Sequence, residues 1–274
     1  MAAITDLSDA INLATGGGTY QPQKPFVLKT NRVGSAAASA PVVGQWTSFW
    51  EYEGAPSGGA APGAAAVPTS STTGAIPLTT PTGELWLAGL EVALNYPGTL
   101  LLYDRLLHCS GLSGTSTSAQ TVGGTLTRNT GGVGNIICAE VYTIIGTTGT
   151  TITCSYTDTS DNSATSTATV IGGTGYREAQ RLLFLPLADG DNGVKAVASA
   201  TLAGTTGTAG DFGINIIKPI ATVGINSGGG GIADFISGIP KLPEIDSGAC
   251  LALAFMPATT NALVGFCSLT ILEK

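Results

Sequence analysis

The stretch from Thr99 to Ile220 constrains this chain more than any other. It opens with TLLLYDRLLHCSGLSGTSTSAQTVGGTLTR and closes with GTAGDFGINIIKPI; between them one Thr-, Val- and Ile-rich segment follows another, separated by glycine-containing turns. Segments of that composition and spacing predict the strands of a sandwich or barrel. Runs fall at 99–108, 121–127, 135–146, 150–158, 164–171, 180–187, 193–203 and 210–220, eight in all, which is the strand number of a jelly roll. The alternation in TITCSYTD and SATSTATV is that of strands with one wet face. IGTTGTT and DGDNG predict hairpins between the runs they join. No fixed-length repeat emerges, which argues against solenoids and propellers. The expected fold class is therefore all-β, a jelly-roll-like β-sandwich with an extended N-terminal arm and long Gly/Ala/Pro-rich loops.

The flanks read differently. Ile4, Leu7, Ile11 and Ala14 share one face of a short helix over 4–14, which Gly16 to Gly18 stop. A helix this short needs a surface to dock on. The prolines of TYQPQKPFVLKTNRVG favour an extended path, with a strand at FVLKT. The run VVGQWTSFWEY then gathers Trp46, Phe49, Trp50 and Tyr52, a large apolar area suited to a core or to an interface anchor, and less well to sugar stacking. Residues 54–83 are an Ala/Pro/Gly loop that cannot build a core of its own. It is either laid over a neighbouring surface or an excursion within one domain. The expected organisation is an arm over 1–40, an aromatic segment and loop over 41–83, and a main β-sandwich domain over 84–274. In that domain ELWLAGLEVAL is ambiguous between strand and helix, and GIADFISGI sets Ile232, Phe235, Ile236 and Ile239 at helical spacing. ACLALAFMPA and ALVGFCSLTILE read as strands buried on both faces.

Charge narrows the function classes. Charged residues make up only 11%, against about 25% in an ordinary soluble chain, while 43% hydrophobic residues and a mean hydropathy of +0.31 argue against disorder. Extended uncharged surface marks contact with other subunits. The net charge is −7, and beyond Lys24, Lys29 and Arg32 the basic residues are scattered, so the basic stripe of a nucleic-acid binder is missing. Asp6 and Asp9 stand where a secretion signal would carry Lys or Arg, and no apolar run is long enough for a membrane helix. Synthesis in a cytoplasm and no membrane partner are the expectations. Cys109, Cys138, Cys154, Cys250 and Cys267 are five, scattered and without CxxC spacing, which predicts buried free thiols rather than disulfides or zinc.

Catalytic chemistry finds little to use. His108 is the only histidine, and its neighbour Cys109 points to the opposite face of a strand. Asp104, Glu140, Glu178 and Asp211 lie on or beside separate strands, where structural ion pairs with Arg105, Arg177 and Arg181 are a better use than a hydrolytic carboxylate pair. DTSDNS and DGDNG look briefly like calcium loops, yet Gly193 follows Asp189 and Asp191 where a ligand is needed and no closing acid exists, so turns are expected. GxxxxGK[ST] and GxSxG are absent. The expectation is a non-enzyme with no cofactor and no metal.

At YDRLLH, SGLSGT, SAQTVGGTLTRNTGGVGN and GGTGYREAQRLLFLPL the chain resembles a group of tailed-bacteriophage virion structural proteins, over roughly residues 40 to 220. The resemblance implies a structural component of the particle and carries no catalytic residues. A long spine helix and a charged extended loop are missing, so the major shell protein is not the match. A capsid decoration or cement protein is expected, partnered by the major capsid protein and by copies of itself as a symmetric homo-oligomer, expected to be a trimer. Ile4, Leu7, Ile11, Phe26, Trp46, Phe49, Trp50 and Tyr52 are the expected interface residues. A tail component recognising a host glycan is the alternative.

Overall fold

In the computed structural model, which describes residues 8, 11–12, 23–30, 41–227, 229–234, 242–259 and 264–273, the architecture is all-β. In chain order the strands are β1 (Phe26–Thr30), β2 (Trp46–Ser48), β3 (Glu53–Ala55), β4 (Leu85–Leu94), β5 (Gly98–Leu107) and β6 (Gln120–Thr121). Then come β7 (Ile136–Thr143), β8 (Thr150–Asp158), β9 (Ser163–Thr165), β10 (Thr169–Ile171), β11 (Arg181–Leu185) and β12 (Val194–Leu202). The last are β13 (Asp211–Ile225), β14 (Gly230–Asp234), β15 (Glu244–Ile245), β16 (Leu251–Pro257) and β17 (Val264–Glu273).

These strands build three layers. The middle one is a closed antiparallel barrel in the order β11-β2-β16-β5-β13-β7. Closure leaves that layer no free edge. One flanking sheet runs β14-β4-β17-β1-β3, with β15 also on β4, and the other runs β10-β8-β12-β6, with β9 also on β8. Strand alternation sorts the barrel's side chains into three cores. Leu100, Leu102, Leu253 and Phe255 point outward onto Val27, Leu90, Val92 and Leu269 of the first flanking sheet. Ile137, Ala139, Val141 and Leu183 point outward onto Ile152, Cys154, Val197 and Leu202 of the second. The alternate residues Leu101, Tyr103, Cys138, Leu182, Ala252 and Ala254 fill the barrel, joined by Trp50 just past β2. Small residues on β16 opposite large ones on β5 suit the narrow bore of a small barrel.

β13 shows how one strand serves both outer cores. Phe212, Ile214 and Ile216 face the second core, whereas Ala221, Val223 and Ile225 face the first. Those two sets have opposite parity, and the register with β5 slips between Ile216 and Ile217 and again between Pro219 and Ala221. An inserted residue exchanges the two faces of a strand and bends it. Pro219, which has no N–H to give, sits beside that irregularity, where a central strand tolerates it. Leu101, Tyr103 and Arg105 of β5 stay inward, so between Leu102 and Leu106 the outward position is Asp104, paired with Lys218 of β13 at the seam between the cores.

Several expectations change. IGTTGTT and DGDNG reverse the chain without pairing their neighbours: β7 and β11 belong to the barrel, β8 and β12 to the flanking sheet. Turn chemistry specifies a reversal, and the partner is chosen by which apolar face needs covering. Of the 121–127 run only Thr121 is strand, together with Gln120 in β6. ELWLAGLEVAL is strand β4, and the described part of GIADFISGI is also strand, with Ile232 on β14; Phe235, Ile236 and Ile239 lie outside the described residues. β16 is buried on both faces, but β17 exposes Phe266. FVLKT, counted in the arm, is β1, integrated between β17 and β3.

The 54–83 loop packs on its own chain. Ala66 bridges to His108, Gly63 N–H donates to Ser110 Oγ at 2.8 Å, and Ile76 N–H donates to the Leu251 carbonyl at 2.8 Å. Trp50 anchors it, donating Nε1–H to the Ala60 carbonyl at 3.0 Å. A Cβ on Gly59 would strike the Trp50 ring, so glycine is required at that approach.

Candidate functional site

Two polar clusters concentrate the charge of the fold. The first is inside the barrel, where the inward positions of β5 and β7 bring Arg105 and Glu140 together with both side chains fully buried. Arg105 Nη1 donates to Glu140 Oε2 at 2.6 Å, and Nη2 donates to Tyr103 Oη at 2.9 Å. The same Glu140 oxygen accepts from Asn215 Nδ2 at 2.8 Å and from Tyr142 Oη at 3.2 Å. Asn215 in turn accepts the Cys109 N–H at 3.0 Å, tying β13 to the end of β5. The guanidinium also lies 4.6 Å from the Trp50 ring centroid, a cation–π contact. An isolated charge here would be prohibitive, and each charge is retained by the other together with the neutral donors around it.

His108 packs at the end of this network, edge-on to Trp50 with ring centroids 5.0 Å apart. Burial, reinforced by the Arg105 charge, pushes its pKa down to about 2, so the ring is neutral across the physiological range. Burial pushes the Cys154, Cys250 and Cys267 thiols up to about 12 and Cys138 higher still. A protonated, buried thiol is a small hydrophobe and a poor nucleophile. All five cysteines are free.

The second cluster lies at the seam, a cavity of about 200 Å³ lined by Asp104, Arg128, Asn129, Lys218, Ile220, Glu244 and Asp246. Arg128 clamps Asp104 with both prongs, Nε at 3.1 Å and Nη2 at 2.9 Å, and also donates to the Arg105 carbonyl at 3.1 Å. Asp104 further accepts the Cys250 N–H at 2.8 Å. One ion pair thus joins a loop, β5 and the start of β16. The cavity is below the roughly 300–1,000 Å³ of an ordinary ligand pocket.

The expected acids are each occupied locally. Asp104 pairs with Arg128 and Glu140 with Arg105, a different pairing from the sequence neighbours; Glu178 meets Arg181 at 3.7 Å and Arg177 at 3.9 Å. Asp211 accepts the Gly111 N–H at 2.6 Å. In DTSDNS, Asp158 accepts the N–H groups of Ser160 and Asn162, an Asx turn, and Asp191 of DGDNG accepts the Tyr156 hydroxyl. Arg128 was the residue sequence reasoning missed; a lone arginine between glycine turns gave no sign of its partner.

The expected interface residues separate into groups. Phe49, Trp50 and Tyr52 are core residues of this chain, at most 3% exposed, because β2 threads them into the barrel and the first outer core; they offer no surface to a neighbour. Trp46 is half-buried edge-on against Phe184. Phe26 and Ile11 are exposed. Ile4 and Leu7 lie outside the described residues.

No protein-family model and no curated protein matches the chain. Among solved structures it is similar to VP2 of infectious bursal disease virus in its subviral particle, at 6% identity and a TM-score of 0.20, covering 93% of this chain and 80% of that one. The T=1 particles derived from the same virus give 8% identity and 0.19 over 93% and 77%, and the Gx strain gives 6% and 0.21 over 93% and 79%. At identities and scores of this size, the assignment rests on the residues themselves.

Proposed function

We propose that this chain is a non-enzymatic structural protein of a phage virion, a capsid decoration or cement protein that stabilises the shell through contacts between subunits. Its partners are then the major capsid protein and copies of itself, on particles assembled in the host cytoplasm. The observation that carries this reading is where the motifs of the resemblance put their charges. Asp104, Arg105 and His108 of YDRLLH, Arg128 of TLTRN, and Glu178 and Arg181 of GYREAQRLL are engaged in fastening β5, β7, β11 and the loops to one another. That use suits a rigid particle component, because side chains held this way serve cohesion of the fold. Quantitative mass spectrometry of purified virions tests it, with the major shell protein as reference. Copies on the order of hundreds, as symmetric shells require, are expected. A few copies would move the protein to the tail and favour glycan recognition instead, and absence from virions would end the proposal.

A further inference from the structure

The outward face of the first flanking sheet exposes several large apolar side chains. Phe26 (53% exposed), Leu28 (39%), Phe266 (45%) and Ile232 (73%) all lie on it. Register places Leu28 beside Phe266 and Phe266 beside Ala93, while Ile232 neighbours Glu91 across the β14–β4 pair. Phe26 and Phe266 stack with ring centroids 5.8 Å apart, at 29°. Between Phe266 on β17 and Ile232 on β14 lie Ala93 and Gly230, with Glu91 beside Ile232, and together they line an open groove of about 730 Å³. Its walls stand two strand spacings apart, about 9–10 Å, close to the roughly 10 Å diameter of an α-helix with small side chains. Large apolar side chains exposed together around a groove mark a contact site.

The sequence supplies an occupant. Ile4, Leu7 and Ile11 recur at helical spacing on one face of the 4–14 segment, and a helix so short is marginal without a surface. Ser8, Ile11 and Asn12 are helical, and Ile11 is 50% exposed, so its own chain leaves half of that side chain uncovered. Thirteen residues separate Asn12 from Phe26. Fully extended they span up to about 43 Å, enough to reach an adjacent copy while keeping the segment at high local concentration.

We propose that residues 4–14 of one copy dock as an amphipathic helix into the Phe266–Ile232 groove of a second copy. The contact is heterologous, arm into groove, so repetition closes a ring such as the expected trimer or extends a chain. It deepens the assembly role proposed above but is read on purified protein, so its failure is separable from failure of the virion assignment.

The test is sedimentation of the full-length chain at micromolar concentration, alongside an arm variant, Leu7→Asp with Ile11→Asp, and a groove variant, Ile232→Ser with Phe266→Ser. The groove side chains are exposed, so thermal melts of that variant should match the parent. The parent is expected to be oligomeric, and each variant should dissociate with an affinity loss of at least about tenfold. Mixing the two variants should restore a heterodimer, since one retains its groove and the other its arm. A monomeric parent, an arm variant that keeps its oligomer, or a mixture that stays monomeric would each overturn the proposal; the second of these would indicate face-to-face pairing of the sheets.

Discussion

Replacing Glu140 by Leu is expected to lower stability by about 3–5 kcal/mol, because it leaves the Arg105 guanidinium charged and unpaired inside a sealed barrel. Arg105→Met should cost a similar amount, stranding the carboxylate. For a domain of this size that corresponds to a fall in Tm of roughly 10 °C. The double variant, Arg105→Met with Glu140→Leu, is expected to be more stable than either single one, since no charge is then left in the barrel. It should still fall short of the parent, because Tyr103 Oη loses its Arg105 donor and Asn215 Nδ2 loses its carboxylate. A double-mutant cycle by chemical denaturation should therefore return a coupling of at least about 2 kcal/mol. Additive single effects would mean that the pair is not the sealed unit described.

Raising the pH above 9 should destabilise the protein. Cys154, Cys250 and Cys267 have pKa values raised by burial from 9.0 to about 12, and Cys138 is raised further. Below pH 9 these thiols are protonated in both states and their contribution is fully present. Above it the unfolded chain releases protons that the folded chain keeps, so stability falls as pH rises toward 12. At pH 10 each thiol costs on the order of 1 kcal/mol, one pH unit past its unfolded value. Four such groups approach the whole stability of a typical domain, about 5–15 kcal/mol. Lys29 acts in the opposite direction: burial lowers its pKa to about 8, so the unfolded chain holds more protons above that pH and this group adds stability. One ammonium does not offset four thiols. Urea midpoints measured under reducing conditions from pH 7.5 to 10.5 should drop steeply above pH 9, and Cys154→Ala with Cys250→Ala should flatten the slope. A level profile would contradict the burial of the thiols.

The all-β class was legible because strand alternation is local: TITCSYTD alone shows one wet face, and it is β8 over Thr150–Asp158 as expected. Pairing was not legible. Nothing in IGTTGTT distinguishes a hairpin from a step between layers, since both need the same reversal, and the choice is made by distant faces such as those of Ile137 and Ile152. The barrel was hidden for a related reason. Its closure depends on β2, a three-residue strand bridging β11 and β16, too short to register as a pattern. The polar network was half visible. Arg105 and Glu140 were recognised as strand-borne charges, but their union requires β5 and β7 to face each other across the bore, with β13 between them in the wall. The apolar sheet face was only partly legible: Phe26 was expected at an interface, but Phe266 read as a buried strand residue and Ile232 as part of a short helix, and the three come from distant segments.

The central claim is that the charged residues of the motifs serve the cohesion of a particle subunit. It is tested most directly by the copy number per virion of the chain carrying Arg105→Met with Glu140→Leu, measured against the unsubstituted chain by quantitative mass spectrometry. If those residues only hold the barrel together, the folded double variant enters virions at the parent's copy number. If it folds but is absent from the particle, or if the parent itself is absent, the structural reading is contradicted.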